Sequence, residues 1–129
     1  MKKIYLLSLL GILNLSCSES YQEIDPENFN SKIKGLTDIK TPQELIILYN
    51  NYPKNEARPQ YEISTITKDV IYEITLIHNN IPDDSLLSEK IIMTAKKNKE
   101  VSWSVLKILK NWKCHNDRGH TNWGTEICN

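Results

Sequence analysis

The sequence predicts an all-α fold, a small helical bundle or helical-repeat-like array with a disulfide-closed C-terminal loop. Three observations carry that expectation. Apolar residues recur at intervals of three and four, helix start signals precede the runs, and short polar turns separate them. With 129 residues, 40% hydrophobic and 25% charged, the chain has room for a single domain.

Met1-Lys2-Lys3, an apolar stretch over residues 4–15 and Ser16 before Cys17 follow the order of a secretory signal. The apolar stretch is too short to span a bilayer as a stable helix. Residues 1–16 are read as a signal peptide, 17–25 as a polar tether that holds the domain off the membrane, and 26–129 as one small globular domain.

Leu13-Asn14-Leu15-Ser16-Cys17 resembles the lipobox of bacterial lipoproteins, and Ser18-Glu19-Ser20 is similar to the short acidic tether of surface-exposed lipoproteins of the Bacteroidetes type. That resemblance implies acylation of Cys17 and an exported protein held by an N-terminal lipid at the outer membrane or cell surface. The competing reading is ordinary cleavage after Ser18, which leaves the protein periplasmic. The resemblance gives an address and no activity, and the globular part resembles no named family.

Asp25-Pro26-Glu27 provides a cap, a proline and an early acid for a short helix with Phe29 and Ile33 on one face, stopped at Gly35. Thr41-Pro42-Gln43-Glu44 forms a capping box. Leu45, Leu48, Tyr49 and Tyr52 follow at helical spacing, and Pro53 ends the segment. Residues 54–60 read as a loop.

Over residues 61–78, Ile63, Ile66, Val70, Ile74 and Ile77 form a helical stripe, while Val70, Tyr72, Ile74 and Leu76 alternate as in a strand. Length favours the helix. After a turn at 79–84, Leu87, Ile91 and Ala95 continue a helix to about Lys97. Ser102 can cap a last helix burying Val105, Leu106, Ile108, Leu109 and Trp112, with Lys107, Lys110 and Lys113 opposite.

Of three cysteines, Cys17 is either lipidated or removed with the signal, so Cys114 and Cys128 remain to pair in an oxidising compartment. The ring they close is worth about 3 kcal/mol in chain entropy. It carries Arg118, His120 and Trp123, with Gly119 and Gly124 to permit tight turns.

In the structural reading the loop folds over the last helix, with Asp117, Arg118 and Glu126 bonded locally. In the binding reading, Arg118, His120 and Trp123 meet a protein partner, because a stapled loop lowers the ordering cost of association. Zinc on Cys114, His115, His120 and Cys128 is disfavoured by the adjacent Cys-His and by oxidation, so no metal or other cofactor is expected.

No GxSxG, HExxH or phosphate-binding glycine loop occurs, and His78 is read as a helix-end residue, so an enzyme is the less favoured class. Sixteen basic and sixteen acidic residues argue against nucleic acid. The charge is polarised, however. Residues 17–95 hold 7 basic and 13 acidic residues, and residues 96–129 hold 7 and 3. Lys96, Lys97, Lys99, Lys107, Lys110, Lys113 and Arg118 could therefore face an acidic partner, an anionic glycan or lipid headgroups.

The expectation is an exported, membrane-tethered, non-enzymatic interaction protein of the inhibitor or immunity type. Its alternative is a small exported enzyme or a glycan-binding domain that stacks sugars on Trp103, Trp112 or Trp123.

Overall fold

In the computed structural model, which describes residues 18–54 and 56–129, the chain after its second helix forms four long strands instead of three helices. The signal peptide expected over residues 1–16 and the lipidation expected at Cys17 lie outside the described residues. The elements are β1 (Gln22–Ile24), α1 (Glu27–Ile33), α2 (Pro42–Asn50), β2 (Gln60–Lys68), β3 (Ile71–Asn79), β4 (Leu86–Lys97) and β5 (Trp103–Cys114). The strands form one antiparallel sheet in the order β1-β5-β4-β3-β2. The expected all-α bundle or helical-repeat-like array is therefore wrong. Only its two N-terminal helices exist among the described residues.

Two local features explain the misreading. Residues 61–78 contain a hairpin turn: Lys68 pairs with Ile71 across Asp69 and Val70, and Asp69 adopts φ 56° in place of the glycine usual there. The apparent helical stripe straddles both strands, so Ile74 is fully buried while Ile66 is 68% exposed. In β5, Val105 opposes Ala95 and Lys107 opposes Thr94, which leaves Leu106 unpaired in a bulge. That extra residue sets the buried Val105 and Ile108 three apart, and an interrupted period of two then imitates a helix.

The helix termini follow local chemistry. Thr41 Oγ1 accepts from the Glu44 N–H at 3.2 Å, Glu44 Oε2 accepts from the Thr41 N–H at 3.1 Å, and Asn51 ends α2 in the left-handed region at φ 45°. Asp25 Oδ1 accepts from the Glu27 N–H at the start of α1.

Both helices cover one face of the sheet. Phe29 and Ile33 of α1, Leu45 and Ile46 of α2, and Ile39 between them bury against Ile74, Leu76, Ile91, Met93, Ala95, Trp103, Val105 and Ile108. Trp103 satisfies its indole by donating to the Ile39 carbonyl at 2.9 Å. On the opposite face Ile77, Lys90 and Asn111 form one cross-strand row.

The segment expected to be a tether is partly structured, since Gln22–Ile24 pair with residues 108–110 of β5. Just before this strand, Glu19 bonds Lys90, and the Ser20 carbonyl accepts from Asn111.

Candidate functional site

The C-terminal loop begins where β5 ends at Cys114, and it folds over the outer edge of that strand. Gly124 exchanges backbone hydrogen bonds with Trp112 at 2.9 and 3.0 Å, and the Cys114 N–H donates to the His120 carbonyl at 2.9 Å. The expected disulfide is present: Cys114 and Cys128 are joined, with Cα atoms 5.5 Å apart. Asn129 N–H donates to the Arg118 carbonyl. The base of the loop is tied to the turn before β4, where Ser85 O accepts from the His115 N–H and Asp83 O lies 3.1 Å from His115 Nε2.

The loop needs glycine at one position and is tight at a second. Gly119 has φ 148°, and a Cβ there would meet Cys114 Sγ at 2.9 Å. A Cβ on Gly124 would press on the His120 ring at 3.1 Å. The ring occupies that space because His120 Nδ1 contacts the Asn122 carbonyl at 2.7 Å and Nε2 contacts the Glu126 carbonyl at 2.9 Å. Carbonyls only accept, so the charged imidazolium, which donates from both nitrogens, satisfies both. These two backbone bonds raise the His120 pKa.

Trp123 rests on two lysines. Lys90 Nζ lies 4.4 Å and Lys113 Nζ 4.6 Å from the centre of its ring. Lys90, almost buried, pairs with Glu19 at 2.6 Å. Glu19 also accepts from the Tyr21 hydroxyl at 2.6 Å. The Lys90 bond, followed by the Tyr21 bond, holds the Glu19 carboxyl below its usual range. Burial and the Glu19 carboxylate push Tyr21 up to about 12. Asn111, fully buried beneath them, donates to Ser20 O at 3.0 Å, while its Oδ1 has no partner among the described residues. An open groove lined by Ser18, Glu19, Ser20, Lys113, Asn122 and Trp123 runs beside this cluster.

The residues expected to bind a partner thus divide. His120 and Trp123 are engaged within the protein. Arg118 is exposed and, among the described residues, makes no ion pair with Asp117 or Glu126. In place of the charge-assisted bonds expected there, the backbone carbonyls of Arg118 and Glu126 accept hydrogen bonds. Cys17 lies outside the described residues, so its role is not defined by this site.

Of the four residues weighed for zinc, Cys114, His120 and Cys128 converge, with ligand atoms within 4.8 Å of one another, and His115 turns away to Asp83. The sulfurs are joined and both His120 nitrogens face carbonyls, so this oxidised form offers no set of free ligands.

His78 is not at a helix end. It is buried in β3 between the edges of Tyr52 and Tyr61, with ring centres 5.0 and 5.1 Å away, and burial lowers its pKa. The basic face expected on a last helix also splits. Lys110 pairs with Glu89 at 2.9 Å on the helix side of the sheet, whereas Lys113 lies under Trp123 on the other. Trp103 is buried, which removes it from a sugar-stacking surface, and half-buried Trp112 donates its indole N–H to Glu126 O.

Sequence reasoning missed Glu19, Lys90 and Asn111. Their partners lie 71 to 92 positions away in the chain, and no local pattern marks them. No family model, curated protein or solved structure matches the chain.

Proposed function

We propose that the protein is an exported, membrane-tethered interaction protein, not an enzyme, that binds an acidic protein partner through its C-terminal loop, in the manner of an inhibitor or immunity protein. The observation that carries this reading is the exposed Arg118 guanidinium on a loop fixed by a disulfide, an edge bridge and the His120 clamp. A fixed loop loses little conformational freedom on binding, and arginine is enriched among residues that dominate interfaces.

The histidines support the non-enzymatic side of this reading. His78 is buried between tyrosines and His120 is bonded to backbone carbonyls through both nitrogens, while His115 is held to the Asp83 carbonyl through Nε2, so each imidazole has a structural place in the fold. Ser18 lines the same groove as Trp123 and Lys113, so an acyl anchor on the adjacent Cys17 would keep the loop near the membrane surface.

A pull-down from the native envelope with the wild type and Arg118→Ala tests the loop. One stoichiometric partner is expected, with affinity at least fivefold lower for the variant and an unchanged melting temperature. A lower melting temperature with intact affinity would make Arg118 a structural residue instead. Metabolic labelling with a fatty-acid analogue tests the anchor: the wild type should be tagged and Cys17→Ser should not.

A further inference from the structure

The two edges of the sheet are treated differently by the chain. Along the outer edge of β5, β1 pairs with residues 108–110, Gly124 bridges Trp112, and His120 O takes the Cys114 N–H. Even the bulged end is closed. The Asn30 side chain donates to Val105 O and accepts from Val105 N–H, both at 2.8 Å, as a neighbouring strand would.

The opposite edge, β2, has none of this. Lys68 and Ile71 close a two-residue turn, so they exchange hydrogen bonds, and so do the pairs at Ile66, Ser64, Glu62 and Gln60. The N–H and C=O groups of Tyr61, Ile63, Thr65 and Thr67 therefore point outward. Among the described residues no backbone or side-chain group bonds them. Ile66 adds a side chain that is 68% exposed, and the strand contains no proline or bulge to block pairing.

We infer that β2 pairs antiparallel with β2 of a second copy about a two-fold axis at Thr65, joining two five-stranded sheets into one. Charge chooses both the occupant and the register. With Thr65 opposite Thr65, Glu62 of each copy stands directly across from Lys68 of the other, and Ile66 is covered by Ser64. A two-residue shift that centres the pair on Ser64 places Glu62 opposite Ile66 and Lys68 opposite Gln60, with no directly opposed charges. The outward groups of Ile63, Thr65 and Thr67 supply the backbone bonds of the Thr65 register.

The test is sedimentation equilibrium of the exported protein carrying Cys17→Ser, which keeps lipid micelles out of the measurement. A concentration-dependent dimer is expected. Thr65→Pro removes an outward N–H and the hydroxyl that accepts from Gln43 Nε2 at 3.5 Å but no hydrogen bond of the sheet, so it should give a monomer with unchanged circular dichroism. Glu62→Lys should weaken dimerisation about tenfold or more by setting like charges opposite each other twice, and adding Lys68→Glu should restore it. If Thr65→Pro loses its fold, the charge exchange decides, because both side chains are exposed. A wild type that stays monomeric to millimolar concentration, a dimer indifferent to Thr65→Pro in its folded form, or a charge exchange without restoration would overturn the proposal.

Discussion

His120 Nε2 and the Glu126 carbonyl oxygen lie 2.9 Å apart, and the same oxygen accepts from Trp112 Nε1 at 2.9 Å. The carbonyl thus receives two donors, one from the end of β5 and one from the loop itself. When the ring loses a proton only one nitrogen keeps its hydrogen, so one of the two carbonyls loses the imidazole as a donor.

This arrangement makes the loop sensitive to alkali. The His120 pKa is raised above the ordinary value of 6.5, so its stabilising contribution is fully present below that value and is lost as pH rises through the folded value. The melting-temperature advantage of the wild type over His120→Gln should shrink as pH rises above 6.5. An imidazole titration followed by NMR should give His120 a midpoint above 6.5 and His78 one below it.

Removing the disulfide tests a different constraint. The pair closes a ring with a sequence separation of 14, and Cys114 is fully buried. Cys114→Ala with Cys128→Ala should lower unfolding stability by about 3 kcal/mol, measured by chemical denaturation. The sheet register should persist, because β4 and β5 pair along nearly their whole length without help from the loop.

What the sequence disclosed was what local chemistry determines. The capping box at Thr41 and Glu44 is legible because cap and partner lie three residues apart, and the cysteine pair follows from a count. The sheet was not legible, since its strands are defined by partners elsewhere in the chain. Asp69 makes the β2–β3 turn without glycine, and the bulge at Leu106 breaks the alternation that would have revealed β5. Length favoured a helix over residues 61–78 only because this turn went unseen. The loop followed the same division. Its residues were found, but the lysines beneath Trp123 and the carbonyls around His120 depend on the tertiary fold.

The last prediction concerns the clasp between the two ends of the described chain. Lys90 joins Glu19 to Trp123, so Lys90→Met removes the ion pair and one of the two cations beneath the indole while keeping the aliphatic stem. The Glu19 side chain is 39% exposed and can rehydrate, so solvent screening limits the ion pair to about 1 kcal/mol or less. Loss of the cation beneath the ring adds roughly 0.5 to 2 kcal/mol. Residues 18–21 of the variant should become accessible to proteases while β1 and the rest of the sheet stay folded. Acid should release the same segment in the wild type. The Glu19 pKa is lowered, so its contribution is present above the ordinary value of 4.5 and is lost as pH falls through the folded value. In Lys90→Met the dominant cause of that lowering is gone, so the acid-dependent change in Trp123 fluorescence should largely disappear; an equal acid response in both proteins would show that Glu19 does not hold the segment.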